Sequence, residues 1–466
     1  MGVVRTFFDH TEPGISEEQW WSAPQWADVP VLDLPATAAT FRRALVVSAH
    51  PDDETLGAGG LLADLADAGM DLTVLVATSG ERSHPVPDEA SAHQLGTRRR
   101  REVEHAISCL APQARLVHLG LPDNGLYEEM NHMIAGIAAR ADADTLVIAP
   151  WTHDGHGDHD AIGAAAALAA SSISATVVHY PIWLWHWADT TSVPWTKVVG
   201  SYTSLVGCWR KRSALAAFTT QINGWEPTPG GSETPPMLGS AALSRARRLI
   251  ETLIDPAGAL PTISVADTSH RRRQRRETMD RMYASSPDPW GWADSFYEQR
   301  RRTLVLGMLG RRHYERVLEL GCADGHISSA LLERCDALDA VDASDRAVQA
   351  TAKAAPGARV IRGDLPSDMP RGSYDLIVVS EVGYFLTAGE LIATIAQAKS
   401  ALAPGGELLL CHWQHPTLDI PLDGFLVHEQ AHSLMGSAPS ASYHDEDVSI
   451  DVWTSAPSSA EREGRR

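Results

Sequence analysis

ALVVSAHPDDE, residues 44–54, is the stretch that decides the fold of the first half of this 466-residue chain. The apolar run 44–48 predicts a buried strand, and the polar residues behind it lie where that strand ends and a helix at 55–68 begins. Further short apolar runs alternate with helical segments as far as residue 180. This alternation predicts a parallel sheet with helices on both faces.

A second series of alternating strands and helices begins at residue 317. The fold class is therefore α/β, with two doubly wound Rossmann-like domains in one chain. A turn-rich loop at 223–240, a predicted helix near 243–253 and an arginine run at 271–276 separate the two series. We predict a first domain over residues 1–270, an Arg-rich linker at 271–287, a second domain over 288–455 and a disordered tail at 456–466.

Composition excludes some classes of partner. The chain has 39 Lys and Arg against 59 Asp and Glu, a net charge of −20, so nucleic acid would be repelled. Its five cysteines are scattered without a CxxC pair, which indicates a reducing, cytoplasmic compartment. The apolar stretch 162–178 is short and contains serines, so it predicts a buried helix and no membrane partner. A small-molecule substrate fits best.

Two polar loops predict a metal site in the first domain. His50 and Asp53 lie one helical turn apart and can face one point, while Asp52 stays free. A second loop, 153–159, follows the predicted strand 145–149 and supplies histidines. Two imidazoles and one carboxylate suit Zn²⁺ and leave a position for water. A free carboxylate can accept the proton of that water, and a nearby histidine can stabilise an oxyanion or protonate a departing amine.

These two loops resemble the LmbE/PIG-L family of zinc N-deacetylases, which remove acetyl groups from N-acetylglucosamine-containing molecules. The resemblance runs from about residue 43 to about residue 221 and departs from the family's usual pattern at Gly157, where proline is common. It implies that the zinc ligands are His50, Asp53 and His159. It also implies that Asp52 is the general base, and that His156, oriented by Asp158, is the oxyanion stabiliser or general acid.

The second series carries a nucleoside-binding pattern. Residues 317–325 read as a strand, a Gly-containing turn and a helix start, which lets backbone approach a ligand closely. Asp342 ends the next strand and is placed to accept ribose hydroxyls, and residues 363–365 lie where adenine would sit. A dinucleotide-dependent dehydrogenase would share these features. The Glu-Leu-Gly-Cys start at 319–322 and the turn at 402–406 favour S-adenosylmethionine (SAM) instead.

Together these features of residues 290–453 resemble the Rossmann-like SAM-dependent methyltransferases. The stretches 288–290, 380–385 and 412–413 resemble, within them, the nodulation protein S type, which N-methylates the free amine of a deacetylated chitooligosaccharide. Ala323 departs from the glycine found in many SAM enzymes. Glu381, Tyr384 and His412 are our candidates for holding and deprotonating the acceptor amine. The predicted cofactor-binding residues are Glu319, Gly321, Cys322, Ala323, Gly325, Asp342, Ala343, Asp364, Leu365, Ser380, Trp290 and Tyr297.

The two predicted chemistries follow one another. The first would expose an amine on an N-acetylated amino sugar or its conjugate, and the second would methylate that amine. Two alternatives stay open: the two activities serve different substrates, or the chain is a sugar-binding or regulatory protein with inactive sites. The tryptophans at 183, 185 and 187 are either a surface for stacking on sugar rings or a core contact.

Overall fold

The computed structural model describes residues 12, 14–226, 234–263, 295–415 and 421–465. The chain divides into two compact units, Met1–Val265 and Ala266–Arg466. The predicted linker 271–287 and the predicted cofactor residue Trp290 lie outside the described residues, so the predicted domain boundaries stay predictions. Among the helices that are described, none combines the length and apolar character needed to span a bilayer.

The first unit is built on a nine-stranded sheet in the order β4-β3-β2-β5-β6-β8-β7-β1-β9. Strands β2 to β6 are parallel neighbours, whereas β8 runs antiparallel to both β6 and β7. The strands are β1 Val31–Leu32, β2 Arg43–Ser48, β3 Asp71–Thr78, β4 Arg115–Leu121, β5 Thr145–Pro150, β6 Thr176–Tyr180, β7 Val198–Tyr202, β8 Ile250–Ile254 and β9 Thr262–Ile263.

Helices cover both faces of this sheet, as the apolar strands require. Strand β5 is buried along its whole length, and β2 is buried except at its first residue, which is typical of central parallel strands. Two apolar clusters lie on opposite faces, one around Leu61 and Leu62 and the other around Ile162 and Ala165. The helices are Glu17–Trp21, Leu34–Thr40, Asp53–Asp67, Glu89–Leu110, Met130–Ala138, Gly157–Ile173, Leu184–Trp187, Leu205–Ala217, Thr219–Ile222 and Ser240–Ala246, with 3₁₀ turns at Pro24–Asp28 and Trp195–Lys197.

The prediction of one helix near 243–253 is wrong. A helix ends at Ala246, and Ile250–Ile254 forms β8 between β6 and β7. This strand also contributes Glu251, whose carboxylate accepts hydrogen bonds from the backbone N–H groups of Gly60 and Leu61 at 2.7 Å each. The helix Asp53–Asp67 is kinked at Ala58, just before these residues, and Glu251 accepts their N–H groups at the kink.

The second unit contains a seven-stranded sheet in the order β12-β11-β10-β13-β14-β16-β15, in which β16 is antiparallel to β14. Together the two sheets confirm the predicted fold class. The strands are β10 Tyr314–Leu320, β11 Cys335–Asp342, β12 Arg359–Arg362, β13 Tyr374–Ser380, β14 Leu402–Trp413, β15 Ala441–His444 and β16 Val448–Thr454. The helices are Phe296–Met308, His326–Leu332, Asp345–Ala354, Ala388–Ala401, Gly424–Met435 and Ser459–Arg462, with a 3₁₀ turn at Gly383–Phe385.

The tail after residue 455 is not wholly disordered as predicted. Ser459–Arg462 form a short helix that begins with a capping box at Ser458. The Ser459 hydroxyl donates a hydrogen bond of 2.7 Å to the Gly310 carbonyl. This contact attaches the tail to the second unit, which the polar composition of the segment does not indicate.

Candidate active sites

The first site lies at the switch point of the first sheet. Strands β2 and β5 are neighbours, and the chain continues from β2 to one side of the sheet and from β5 to the other. Ligands of open α/β sheets bind at the carboxyl ends of strands at such a point. The loops at 50–53 and 154–159 leave these two strands there, so the sheet brings together residues about a hundred positions apart.

Asp53 connects the two predicted histidine ligands. Its Oδ1 lies 3.2 Å from His159 Nε2, and its Oδ2 lies 3.5 Å from His50 Nδ1. The His50 backbone N–H also donates to Asp53 Oδ2 at 2.8 Å. All three side chains are buried. The structure therefore places the three predicted ligands around one point.

His156 lies in the same cluster. Its ring centroid is 5.0 Å from that of His50 and 4.7 Å from that of His159, and one nitrogen of each ring lies within 4.8 Å of the others. Its Nδ1 is buried, and within the described part of the chain it has no hydrogen-bond partner. Imidazole nitrogens with a carboxylate oxygen are the donors that zinc prefers, so this site fits the metal that the sequence predicts.

Asp52 occupies the position of the predicted base. It has φ 147°, a conformation that a non-glycine residue adopts only at a cost, which is common at functional sites. Its carboxylate lies 3.0 Å from Arg99, which also donates to the carbonyls of Pro51 and Gly80. Burial raises the pKa of Asp52 to about 6, and Arg99 opposes that shift. The guanidinium therefore helps to keep this buried carboxylate ionised.

Asp158 has contacts other than the one predicted. Its Oδ2 lies 3.2 Å from His50 Nε2, and the carboxylate accepts hydrogen bonds from the backbone N–H groups of Asn124 and Leu126. Asp123 lies 3.2 Å from the same His50 nitrogen. Among the described contacts Asp158 thus orients His50 and the loop at 124–126, whereas the expectation was that it would orient His156.

Asp154 is a site residue that the sequence analysis missed. It is completely buried, and its Oδ2 lies 2.8 Å from His159 Nδ1. The same carboxylate accepts the backbone N–H groups of residues 182, 183 and 184 at 2.9 to 3.0 Å. A carboxylate on the far nitrogen of a histidine fixes its tautomer and orientation for metal binding. His159 follows Asp154 in the same loop, but the backbone N–H groups come from the segment after β6, so no local pattern indicates that Asp154 joins the two.

Two tryptophans of the short helix Leu184–Trp187 have different roles. Trp185 is buried against Trp20, with ring centroids 4.8 Å apart, and is a core residue. Trp187 is 39% exposed, and its indole N–H donates to the Asp154 carbonyl at 2.7 Å. Of these two residues, only Trp187 presents an accessible aromatic surface beside the first site.

The second site lies at the corresponding switch point between β10 and β13. Gly321 and Gly325 both have positive φ, and a Cβ on Gly321 would approach Val382 Cβ to 2.7 Å. Ala323 also has a positive φ, 48°, at the position where glycine is usual in this kind of loop. Asp342 holds the turn, since its carboxylate accepts the backbone N–H groups of Ala323 at 3.0 Å and Ser344 at 2.9 Å.

A cleft opens above this loop, and several predicted cofactor residues line it. It also contains a buried pair that the sequence analysis missed, in which Arg301 lies 2.7 Å from Glu298 and donates to the Ser380 hydroxyl at 2.8 Å. The lining residues are Glu298, Arg301, Arg302, Glu319, Gly321, Cys322, Ala323, Asp324, His326, Ile327, Ser380 and Glu381. Other predicted cofactor residues outside this lining are Asp342 and Ala343 at the end of β11, Asp364 and Leu365 after β12, and Tyr297, whose ring packs on Trp413.

Glu381 and Tyr384 meet at one end of this cleft. The Tyr384 hydroxyl donates to Glu381 Oε2, and Glu381 Oε1 accepts the Trp413 backbone N–H at 2.9 Å. Glu381 has φ 56°, so its backbone is strained. Burial raises the pKa of Glu381, and Arg301, 3.9 Å away, lowers it. Glu381 and Tyr384, both predicted to hold the acceptor amine, are thus joined by a hydrogen bond.

His412 does not suit the role predicted for it. Its ring is fully buried, and Nε2 accepts the Gly383 backbone N–H at 3.1 Å while Nδ1 lies 3.2 Å from His428 Nε2. Both ring nitrogens are therefore occupied inside the domain. A side chain in this state holds the loop and has no nitrogen available to deprotonate an amine.

Comparison with known proteins gives two family matches. Residues 45–170 match the family model "GlcNAc-PI de-N-acetylase" (PIG-L), and residues 273–414 match "Nodulation protein S (NodS)". The 1D-myo-inositol 2-acetamido-2-deoxy-alpha-D-glucopyranoside deacetylase of Rhodococcus opacus is 28% identical over 61% of this chain and 99% of its own length. Nodulation protein S of Bradyrhizobium diazoefficiens is 33% identical over 31% of this chain and 68% of its own length. The solved N-methyltransferase NodS from Bradyrhizobium japonicum, in complex with S-adenosyl-L-homocysteine, is 23% identical with a TM-score of 0.33, over 39% of this chain and 97% of that one.

Proposed function

The chain joins a PIG-L deacetylase domain to a methyltransferase domain of the nodulation protein S family, and from this premise we propose one bifunctional enzyme. Its first site hydrolyses the N-acetyl group of an amino sugar or glycoconjugate with the help of zinc. Its second site transfers the methyl group of SAM to the amine that the first site exposes. The observation that carries the proposal is that one chain matches a de-N-acetylase family and the nodulation protein S family, whose chemistries can follow one another.

In the first site, His50, Asp53 and His159 would hold the metal. When bound there, zinc polarises a carbonyl and lowers the pKa of a water molecule. Asp52, held by Arg99, accepts a proton from the attacking water. His156, whose Nδ1 has no hydrogen-bond partner among the described residues, would stabilise the oxyanion or protonate the departing nitrogen. The net change is one amide and one water to acetate and a free amine.

In the second site, the protein mainly has to hold an unprotonated amine in line with the sulfonium methyl group. The amine lone pair forms the new N–C bond as the S–C bond breaks, so the positive charge passes from sulfur to nitrogen. Glu381, a partly buried carboxylate that accepts a hydrogen bond from Tyr384, is suited to balance that charge and to accept the proton of the amine. The cleft at residues 319–325 and 380 would hold the nucleoside and amino acid parts of SAM.

Two variants test the assignment of the sites. Asp52→Asn should abolish acetate release from an N-acetylglucosaminyl substrate while methylation of the synthetic free amine continues. Glu381→Gln should have the opposite effect. If one variant abolishes both activities in a folded, SAM-binding protein, the assignment to separate sites is wrong. If the wild-type enzyme releases acetate and methylates only unrelated molecules, the alternative of two different substrates is correct.

A further inference from the structure

A chain of buried hydrogen bonds runs from β16, which lies between β14 and β15 in the second sheet, to the loop that carries Tyr384. Asp451 Oδ2 on β16 lies 2.6 Å from His428 Nδ1 on the helix Gly424–Met435. His428 Nε2 lies 3.2 Å from His412 Nδ1, and His412 Nε2 accepts the Gly383 N–H at 3.1 Å. All three side chains are at least nine-tenths buried. The chain is thus shielded from water along its length.

The direction of each hydrogen bond in this series follows from the two groups at its ends, the Gly383 N–H and the Asp451 carboxylate. The backbone N–H of Gly383 can only donate, so His412 Nε2 has to be unprotonated and the proton of a neutral His412 lies on Nδ1. That N–H points at His428 Nε2, which therefore accepts and places the proton of His428 on Nδ1. The ionised carboxylate of Asp451 accepts that last proton. One carboxylate accordingly fixes the tautomers of two imidazoles.

The last hydrogen bond of this series, from the Gly383 N–H to His412, fixes a loop at the proposed methyl-acceptor site. Gly383 begins the 3₁₀ turn Gly383–Phe385, two residues after Glu381. A Cβ on Gly383 would lie 2.8 Å from His412 Nε2 and 2.7 Å from Val427 Cγ1, so the backbone is seated directly against the imidazole. The next residue, Tyr384, packs its ring against His412 at 5.6 Å between centroids.

From this geometry we propose that His412, His428 and Asp451 are positioning residues for methyl transfer. They hold the turn at Gly383 so that Glu381 and Tyr384 face the acceptor amine. The proposal rests on the proposed function of the second site. Burial lowers the pKa of both His412 and His428, in agreement with the neutral tautomers that the chain requires.

The other groups on Asp451 provide a control. Its carboxylate also contacts His432 Nε2 at 3.0 Å, the Ser442 hydroxyl at 2.6 Å and His444 Nε2 at 3.5 Å. His432 and His444 are partly exposed, with side-chain exposures of 43% and 52%, and they lie off the path to Gly383. A variant of His432 therefore alters the surroundings of Asp451 and leaves the chain of hydrogen bonds intact.

The experiment compares His428→Phe, His428→Gln and His432→Ala in the full-length enzyme. His428→Phe keeps a ring but loses both hydrogen bonds, so we expect the KM for a free amino sugar to rise about tenfold, the equivalent of one such bond, while S-adenosylhomocysteine still binds with the wild-type affinity. Glutamine can accept with its oxygen and donate with its nitrogen, so His428→Gln should recover most of this loss. His432→Ala should behave as wild type.

An unchanged KM in His428→Phe, or an equal loss of S-adenosylhomocysteine binding, would overturn the proposal. A readout on the wild-type protein guards against a variant that does not fold: ¹⁵N NMR of histidine-labelled enzyme should show His412 protonated at Nδ1, and protonation at Nε2 would also overturn it. If the wild-type enzyme methylates no amine, the proposed function fails instead, and the tautomer of His412 still decides whether the hydrogen-bond chain exists.

Discussion

Replacing Asp154 by asparagine tests how the first site is built. The wild-type carboxylate accepts four hydrogen bonds, one from His159 at 2.8 Å and three from backbone N–H groups at 2.9 to 3.0 Å. The amide nitrogen of asparagine cannot accept. If it faces His159, it donates to Nδ1 and forces the proton onto Nε2, the nitrogen that faces Asp53 and the metal site. If it faces the loop at 182–184, buried N–H groups lose their acceptor.

The size of the effect follows from these contacts. Loss of a carboxylate that orients a histidine ligand costs about 10–100-fold in metal affinity, or about 1.4–2.8 kcal/mol. Each buried N–H group left without an acceptor costs about 1–3 kcal/mol of folding free energy. We therefore expect Asp154→Asn to bind zinc about 10–100-fold more weakly and to unfold at a lower temperature.

Zinc affinity is measured by competition with a chromogenic chelator, and thermal unfolding is followed in parallel. Asp189→Asn is the matched control, since Asp189 also accepts backbone N–H groups, those of Thr191 and Ser192, without contacting a candidate ligand. A folded Asp154→Asn protein that binds zinc within about twofold of the wild-type affinity, well below the expected effect, would refute this account of His159.

Three further predictions concern buried charges and one strained residue. Lys211→Met removes the cation 2.6 Å from the buried Glu251 carboxylate. We expect urea titration to show that the free energy of unfolding of the first unit falls by about 3–5 kcal/mol. A decrease below about 1 kcal/mol, the value of a surface ion pair, would contradict this. Burial raises the pKa of Glu319 from 4.5 to about 8, so the folded state holds a proton that the unfolded state releases between these values. Stability of the second unit should therefore fall as pH rises through this range, and thermal unfolding of Glu319→Gln should lack that fall. Ala323→Gly relieves a φ of 48° and should stabilise the second unit by about 0.5–1 kcal/mol, whereas destabilisation would show that the residue is not strained.

Local spacing was enough to predict the parts of the sites that lie within one loop. His50 and Asp53 are close in sequence, and the short apolar run before them predicts the strand that they follow. The turn at Gly321 also follows directly on a predicted strand. The full roles of Asp154 and Arg301 could not be predicted. One partner of each, His159 or Glu298, is near in sequence, but the backbone at 182–184 and Ser380 come from other parts of the fold. The hydrogen bonds from Asp451 to Gly383 likewise join β16, a helix and β14. The sequence does not show these contacts, so it suggested His412 as a base.

The fold shows the same limit. The alternating segments predicted two α/β sheets because the apolar runs are short, as in the central strands β2 and β5, which are buried almost throughout. Residues 250–253 were predicted as part of a helix, yet they lie in β8, since antiparallel partners on β6 and β7 determine their conformation. Such pairing depends on strands far apart in sequence, and no local pattern of hydrophobic residues contains that information.

The central claim is that both sites act on one nitrogen atom, and double isotope labelling tests it most directly. The wild-type enzyme is incubated with zinc, SAM labelled with ¹³C in its methyl group, and an N-acetylglucosaminyl substrate labelled with ¹⁵N in its acetamido group. We predict release of acetate followed by a product in which the ¹³C methyl signal shows direct coupling to ¹⁵N. Release of acetate with no methyl transfer, or a labelled methyl group without that coupling, would contradict the account.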